Sequence, residues 1–365
     1  MKRFRCGCGN EVYFENAQCV RCGFTIGYDP DVFEIVRIDA TRGASAPRLC
    51  ANAQFGVCNW VVAADAPDAL CVSCKFSSTI PNLQNPQNVK KWAKIELAKR
   101  YLLYSLFRWR LPIVQRKLGD TRGLAFNFLS DEDAVGSGPV LTGHSNGLIT
   151  LNIAEADDVE RERRRTLLKE PYRTLVAHFR HEIGHYYWAA LVQDGNKTDA
   201  FRAVFGDESR DYGVALQAHY NSGPQETWPA DFISAYATSH PWEDFAETWA
   251  HYTHMVDTLE TAYAYGLRME RPIDRSGDVA IEEDPYHTRR FQRIVDDWPA
   301  VTLMLNALNR SMGQRDAYPF VLSESVLGKL KFVHDLIHES GKGAVRRDRR
   351  HSSLFEAFLN RIHLA

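Results

Sequence analysis

The sequence has no cysteine after Cys74 and no histidine before His144, so two common metal ligands are confined to different parts of the chain. It also has no apolar run near the roughly 20 residues needed to cross a bilayer. The opening residues MKRFRCGCGN lack the apolar stretch of a secretory signal. We therefore expect a cytoplasmic protein that does not bind a membrane. With 365 residues, 45% of them hydrophobic, the chain can hold two or three globular domains.

The net charge of −2 hides a segregation of charge along the chain. Residues 1–76 carry eight basic and eight acidic side chains, and residues 90–117 carry nine basic side chains against one acidic. Residues 119–338 carry 21 basic and 34 acidic side chains, a balance of −13. An acidic body is unfavourable for phosphate contacts, so nucleic acid is not an expected partner. The apolar spacing within 90–117 is typical of an amphipathic helix with a solvated basic face.

The cysteines form two quartets that predict two zinc ribbons. The first quartet has Cys-x-Cys followed by Cys-x2-Cys, and the second has Cys-x7-Cys followed by Cys-x2-Cys. Their members are Cys6, Cys8, Cys19 and Cys22, then Cys50, Cys58, Cys71 and Cys74. Four thiolates form a closed tetrahedral zinc site without an open coordination position, so we expect both zinc ions to be structural. A rubredoxin-like iron site uses the same four ligands and remains an alternative to zinc. Disulfides are disfavoured because they would require an oxidising compartment.

The pattern along the chain predicts an α+β fold, with a small ribbon module followed by a mostly helical zincin-like body with a small sheet. We divide the chain into a double zinc ribbon (1–76), an uncharged linker rich in Pro, Asn and Gln (77–88), a catalytic body (89–340) and a basic C-terminal tail or helix (341–365). Apolar clusters between Gly- and Ser-rich flanks predict two strands. The predicted strands are 123–130 and 147–153, and residues 88–118 are predicted to form one or two helices. Further helices are predicted at 172–192, with Pro171 as the first helical residue, and at 199–218, 229–238, 243–265, 287–309 and 323–338.

One stretch of the body carries a metallopeptidase motif, His181-Glu182-Ile183-Gly184-His185. On a helix the two histidines lie one turn apart on the same face, so both imidazoles can bind one zinc ion. Glu182 lies beside that face and can take a proton from a water molecule. The alternative, two hydrogen-bonded core histidines, is weaker because the motif falls within an apolar helical segment.

The third ligand must come from elsewhere in the chain. A three-histidine metzincin site would need Gly at position 188 and His at 191, but Trp188 and Leu191 stand there. A carboxylate from a later helix is therefore expected. Glu243 opens the helical face of HPWEDFAETWAHYTH and is preferred over Glu247 and, more distantly, Glu208. Glu247 then either binds the N–H of a ligand histidine or is an ordinary surface carboxylate.

Three histidines in or near this segment are expected to be helix-face residues rather than ligands: His240, His251 and His254.

A tyrosine seven residues before Glu243, Tyr236, resembles the tyrosine and glutamate arrangement of lethal-factor-like gluzincins. This resemblance implies that Glu243 binds zinc and that the phenol of Tyr236 stabilises the oxyanion. Over most of residues 1–340 the chain is similar to a bacterial family of zinc-binding metallopeptidases with an N-terminal zinc-ribbon region. The stretches that carry the likeness are TGHSNGLITLNIAEAD, HFRHEIGHYYW, FISAYATSHPWEDFAETWAHY and YPFVLSESVLGKLKFVHDLI. Membership implies no particular substrate.

These observations predict a zinc-dependent peptidase with one catalytic and two structural zinc ions, acting on a peptide or protein. The ribbons are expected to recruit a protein substrate or partner, or to gate the site. GLITLNI (147–153) is either an edge strand that pairs with extended substrate or a plain core strand. The alternative function is a ribbon module that binds protein or nucleic acid, attached to an inactive or regulatory peptidase-like body.

Overall fold

A computed structural model describes residues 1–351 apart from 40, 42, 44, 45, 118, 134–139, 141, 159, 160, 162–173, 270–278, 319 and 321. The architecture is α+β, which confirms the predicted fold class. A cysteine-rich region of short hairpins comes first, and a helical body with one four-stranded sheet follows. Within the described residues, no helix is both long enough and apolar enough to span a bilayer.

The cysteine-rich region is built from three antiparallel two-stranded hairpins and one short helix. The hairpins pair β1 (Phe4–Arg5) with β2 (Glu11–Val12), β3 (Ile26–Asp29) with β4 (Glu34–Arg37) and β5 (Arg48–Leu49) with β6 (Val61–Val62), and α1 is Val72–Lys75. Gly9 and Gly23 follow the two cysteine pairs of the first quartet at φ of 84° and 72°. Glycine suits these turns because side chains disfavour left-handed backbone.

The two ribbons pack on each other and on helix α2 (Pro86–Arg108) through an aromatic cluster. The ring of Tyr28 lies 4.6 Å from Phe14 and 5.1 Å from Trp60, and Phe14 lies 5.8 Å from Tyr104 of α2. The side chain of Asn59 donates to the carbonyl of Phe14 at 2.6 Å. The ribbons are thus fixed to the first helix of the body by buried aromatic surface and hydrogen bonds.

The four-stranded sheet has the order β7-β8-β10-β9. Its strands are β7 (Ser77–Thr79), β8 (Ala125–Leu129), β9 (Gly143–Ser145) and β10 (Leu148–Asn152). Strands β8 and β10 confirm the two predicted strands. Strand β7 forms within the segment predicted as a linker and pairs in parallel with β8. Strand β10 is internal, between β8 and β9, so GLITLNI is a core strand and the edge-strand interpretation is wrong.

Helices make up most of the body. They are α3 (Leu175–Tyr187), α4 (Thr198–Phe205), α5 (Tyr212–Ser222), α6 (Pro241–Ala264), α7 (Phe291–Ser311) and α8 (Glu324–His351), and a π-helical turn at Trp188–Gln193 continues α3. A small hairpin pairs β11 (Arg268–Met269) with β12 (Val279–Ala280). The predicted helices at 243–265, 287–309 and 323–338 correspond to α6, α7 and α8.

Three helix predictions differ from the structure, and local backbone conformation explains two of the differences. Helix α2 ends at Arg108 rather than 118, because Arg110 adopts a φ of 54° and Pro112 follows. The segment 199–218 contains two helices, α4 and α5, because Gly206 at φ 95° ends the first. The segment 229–238 is not a helix and contains only short 3₁₀ turns.

The motif helix begins later than expected. The prediction starts it at residue 172, but Thr174 is its N-cap and accepts a hydrogen bond from the amide of Ala177 at 3.0 Å. Pro171, expected at the first helical position, lies outside the described residues.

Helices α3 and α6 pack together and form the centre of the body. Gly184 allows this, since a Cβ there would lie 2.9 Å from the Cα of Ala246. Next to this contact the rings of Tyr187 and Trp249 stack at 4.8 Å. The close approach brings the polar face of the motif helix against the first turn of α6.

Candidate functional site

The site lies where the middle of α3 faces the start of α6. Helix α6 begins at Pro241, whose missing N–H suits the first helical position. His240 is the N-cap, and its Nδ1 accepts a hydrogen bond from the amide of Trp242 at 3.1 Å. This start places Glu243 in the first turn, buried and directed at the two motif histidines.

Three predicted ligands converge on one point. Oε2 of Glu243 lies 3.0 Å from Nε2 of His181 and 3.4 Å from Nε2 of His185. The ligand atoms of this trio all lie within 4.8 Å of one another. Ligands about 2 Å from a tetrahedral zinc ion are separated by about 3.3 Å, so the spacing fits zinc. Oε2 of Glu243 is buried without a hydrogen bond of acceptable geometry, as expected for an oxygen that binds an ion.

Glu247 lies one turn further along α6 and binds the other nitrogen of a ligand histidine. Its Oε1 lies 2.6 Å from Nδ1 of His181, and its Oε2 accepts a hydrogen bond from Ser234 at 2.6 Å. Burial raises the pKa of Glu247, but the hydrogen bond from His181 outweighs it and lowers that pKa to about 2. An ionised Glu247 fixes the His181 tautomer with Nε2 free for a metal. The structure therefore places Glu247 against His181, on the side away from Glu243, and largely out of solvent.

Glu182 is buried beside the trio, and His178 contacts its carboxylate. Nε2 of His178 lies 3.2 Å from Oε1 of Glu182, and Nδ1 of His178 lies 2.7 Å from Oε2 of Glu155. Burial disfavours the imidazolium, but the two carboxylates outweigh it and raise the pKa of His178 to about 10. Burial also raises the pKa of Glu182, yet His178 lowers it overall. Glu182 is thus ionised and able to accept a proton.

Two tyrosines approach the trio. Tyr236 lies on the 3₁₀ turn Tyr236–Thr238, with its ring 5.9 Å from that of His181. Burial first, and the charge of Glu243 second, raise the pKa of Tyr236, so its phenol keeps its proton. Tyr212 of α5, which the sequence did not indicate, donates from its hydroxyl to Oε1 of Glu243 at 2.8 Å.

The remaining candidates lie away from the trio. Glu208 accepts two hydrogen bonds from Arg202, at 2.7 and 2.9 Å, and is not part of the cluster. Nδ1 of His251 is 2.8 Å from the hydroxyl of Tyr318, and Nδ1 of His254 is 3.3 Å from Arg180. With His240 serving as a helix cap, all three neighbouring histidines have structural contacts.

Among the residues that sequence reasoning missed, Tyr212, Ser234 and His178 contact the predicted site, and Glu155 contacts His178. His178 could have been found, since it lies one helical turn before Glu182. The other three approach from separate segments, and no spacing rule connects them to the motif.

The eight cysteines form the two predicted groups of four, each with its sulfurs clustered. Sγ atoms are separated by 3.6 Å for Cys6 and Cys22, by 3.7 Å for Cys8 and Cys19 and by 3.7 Å for Cys58 and Cys71. Four sulfurs about 2.3 Å from a zinc ion are separated by about 3.8 Å, whereas a disulfide is much shorter. Both groups therefore have the dimensions of a structural zinc site.

Comparison with known proteins agrees with this geometry. The model of a family described as "Putative zinc-binding metallo-peptidase" matches residues 88–336, and the model of a zinc-ribbon domain matches residues 3–85. Uncharacterized proteins of Mycobacterium tuberculosis and Mycobacterium bovis are each 40% identical to the chain over 341 residues. The match covers 93% of this chain and 96% of each relative. No solved structure is similar enough to count as a match.

Proposed function

The chain belongs to the metallo-peptidase family whose model matches residues 88–336, and from that premise we propose that it is a zinc-dependent peptidase of the gluzincin type. The single observation that carries the proposal is the convergence of His181, His185 and Glu243 beside the buried Glu182. Three protein ligands leave a fourth position open, as catalytic zinc sites require.

Zinc held by His181, His185 and Glu243 would act as a Lewis acid that activates water and polarises the scissile carbonyl. Glu182 accepts the proton of the attacking water and then returns it to the leaving amine. His178 holds Oε1 of Glu182 at 3.2 Å, so the transfer is assigned to the second oxygen of Glu182. The phenol of Tyr236 donates a hydrogen bond to the oxygen that becomes negative.

Zinc in the two cysteine clusters would have a structural role, because each four-sulfur shell is closed. One contact between the ribbons and the body lies far from the catalytic trio. Tyr104, which packs on the ribbon aromatics, donates to Glu260 of α6 at 2.7 Å. Glu260 is 17 residues after Glu243, or about 25 Å along the helix. This separation supports ribbons that recruit or orient a protein substrate over ribbons that gate the zinc by direct contact.

The decisive experiment compares the parent protein with Glu182→Gln on casein and on a peptide library, with zinc counted per chain in both. The expected result is cleavage by the parent and a loss of at least about a hundredfold in the variant, at equal zinc content. The matched control is Glu208→Gln, a glutamate outside the trio, which should cleave normally. A Glu182→Gln protein with full zinc and full activity would overturn the assignment of the base.

A parent protein that binds three zinc ions and cleaves no peptide in the library would contradict the peptidase proposal itself. Retarded migration of nucleic acid in a salt-dependent gel shift, together with that result, would favour the binding-module alternative.

A further inference from the structure

Helix α5 lies beside the catalytic trio and is only lightly packed. Ala215 is the one residue of this helix that is buried, and Val214 and Tyr220 are 69% and 57% exposed. The glycines on either side, Gly206 and Gly223, have φ of 95° and 67°. Such a helix gains little from hydrophobic burial, so its polar contacts determine its position.

Two of those contacts, one at each end of the helix, lead to the site. The hydroxyl of Tyr212 donates to Oε1 of Glu243 at 2.8 Å, and the Tyr212 ring lies 5.9 Å from that of Trp242. At the other end of α5, Nδ1 of His219 lies 3.2 Å from the hydroxyl of Thr238, within the turn that carries Tyr236. Helix α5 is therefore attached to the metal-binding turn and to the tyrosine turn together.

The hydrogen bond from Tyr212 gives the two carboxylate oxygens of Glu243 different partners. Oε1 is occupied by the phenol, and Oε2 lies with the two histidine nitrogens. A carboxylate with both oxygens free can bind a metal through both of them, and the second oxygen would then occupy the position that a water molecule needs. We propose that Tyr212 is a positioning residue that restricts Glu243 to one metal-binding oxygen and ties α5 to the metal centre.

This inference rests on the proposed function, because it requires a metal at the trio. The role of Tyr212 does not depend on which residue is the base or the oxyanion donor, so an experiment can contradict that role and leave the proposed function intact. The test is Tyr212→Phe, which removes one oxygen and keeps the ring. Tyr220→Phe is the matched control, since Tyr220 lies on the same helix and is mostly exposed.

Two measurements are made on the full chain. The first is zinc affinity at the trio, from competition with a chromophoric chelator, with the His185→Ala protein used to identify that site. The second is the visible spectrum of cobalt placed at the trio alone, with absence of thiolate charge-transfer bands as the check. Four-coordinate cobalt absorbs several-fold more strongly than five-coordinate cobalt, so the spectrum reports whether Glu243 binds through one oxygen or two.

The expected result for Tyr212→Phe is a zinc affinity lower by about 10- to 100-fold and a several-fold weaker cobalt spectrum, with Tyr220→Phe like the parent. Amides of α5 should also exchange with solvent faster in Tyr212→Phe. Unchanged affinity and an unchanged spectrum in Tyr212→Phe would overturn the inference alone. A His185→Ala protein with the same metal content as the parent would overturn the proposed function as well.

Discussion

Gly184 of the motif helix lies against Ala246 of α6 so closely that a Cβ at Gly184 would be 2.9 Å from the Cα of Ala246. The contact sets the distance between the helix that carries His181 and His185 and the helix that carries Glu243. A glycine inside a helix costs about 0.5–1 kcal/mol relative to alanine. Here the cost is offset by an approach that lets a short carboxylate side chain reach both imidazoles.

Gly184→Ala should therefore destabilise the protein by about 1–3 kcal/mol, because α3 and α6 must separate to accept the methyl group. The same separation should weaken zinc binding at the trio. Thermal unfolding and chelator competition measure the two effects. Gly328→Ala in α8 is the control, since a Cβ there lies within 4 Å of no atom of the described residues and the substitution should be neutral or stabilising. Equal stability of the two variants would contradict the packing argument.

Three glutamate substitutions should affect zinc affinity at the trio to different extents, according to the distance of each glutamate from the two histidines. Glu243→Ala removes a ligand and should abolish most zinc binding at the trio. Glu247→Ala removes the acceptor that orients His181 and should weaken binding by about 10- to 100-fold. Glu208→Ala should bind zinc like the parent, because Glu208 pairs with Arg202 outside the cluster. Zinc titration against a chelator gives the ranking, and a larger loss in Glu247→Ala than in Glu243→Ala would assign the third ligand to Glu247.

Metal analysis should find three zinc ions per chain, two of them in the cysteine clusters. Cys71→Ser should lower the count to two and reduce stability, because small metal-stabilised modules derive much of their folding free energy from the ion. Ser73→Ala is the matched control, since Ser73 is buried between two cysteines of that cluster but is not a ligand. A count of two zinc ions per chain in the parent protein would show that one of the three proposed sites does not bind zinc.

The buried His251 predicts a loss of stability on mild acidification. Burial lowers its pKa to about 4 from an ordinary value near 6.5. Between these pKa values the His251 imidazole is protonated in the unfolded chain but not in the folded chain. The contribution of neutral His251 to the free energy of unfolding is therefore complete above pH 6.5 and falls as the pH drops toward 4. At pH 5 the loss is about 2 kcal/mol relative to pH 7.

The measurement is urea unfolding at pH 7 and pH 5 of the parent and of His251→Asn, which lacks the titrating group. The variant should lose about 2 kcal/mol less than the parent between these pH values. His287→Asn changes a histidine that is 71% exposed and serves as the control. A parallel loss in the parent and in His251→Asn would show that other groups cause the acid sensitivity.

The sequence predicted the parts of the site that follow from periodicity along one helix. His181 and His185 share a helical face with Glu182 beside it, and Glu243 and Glu247 share another face, so these groupings needed only a 3.6-residue period. Tyr212 and Ser234 could not be predicted in this way, because α5 and the 3₁₀ turns reach the site through tertiary packing. The β10 strand was placed correctly in sequence, but its internal position depends on β9 pairing with it, which the pattern of apolar residues does not determine.

Helix boundaries show the same limit. The prediction joined the apolar residues on both sides of the polar stretch 206–211 into one helix, whereas the left-handed backbone of Gly206 ends the first of two helices there. The division of the chain into domains stays a prediction, although part of the expected linker is strand β7.

Strand β7 connects the second cysteine cluster to the sheet of the body. Ser77–Thr79 begins three residues after Cys74 and pairs with β8 in the sheet of the catalytic body. Cutting the chain at residue 76 would remove the cluster that precedes this strand and would expose the aromatic rings of α2 that pack on Phe14 and Trp60. The ribbons and the body should therefore melt in a single cooperative transition. Extraction of the ribbon metals would then unfold the body and release the ion of the proposed peptidase site, so the proposed activity would depend on metals bound outside that site.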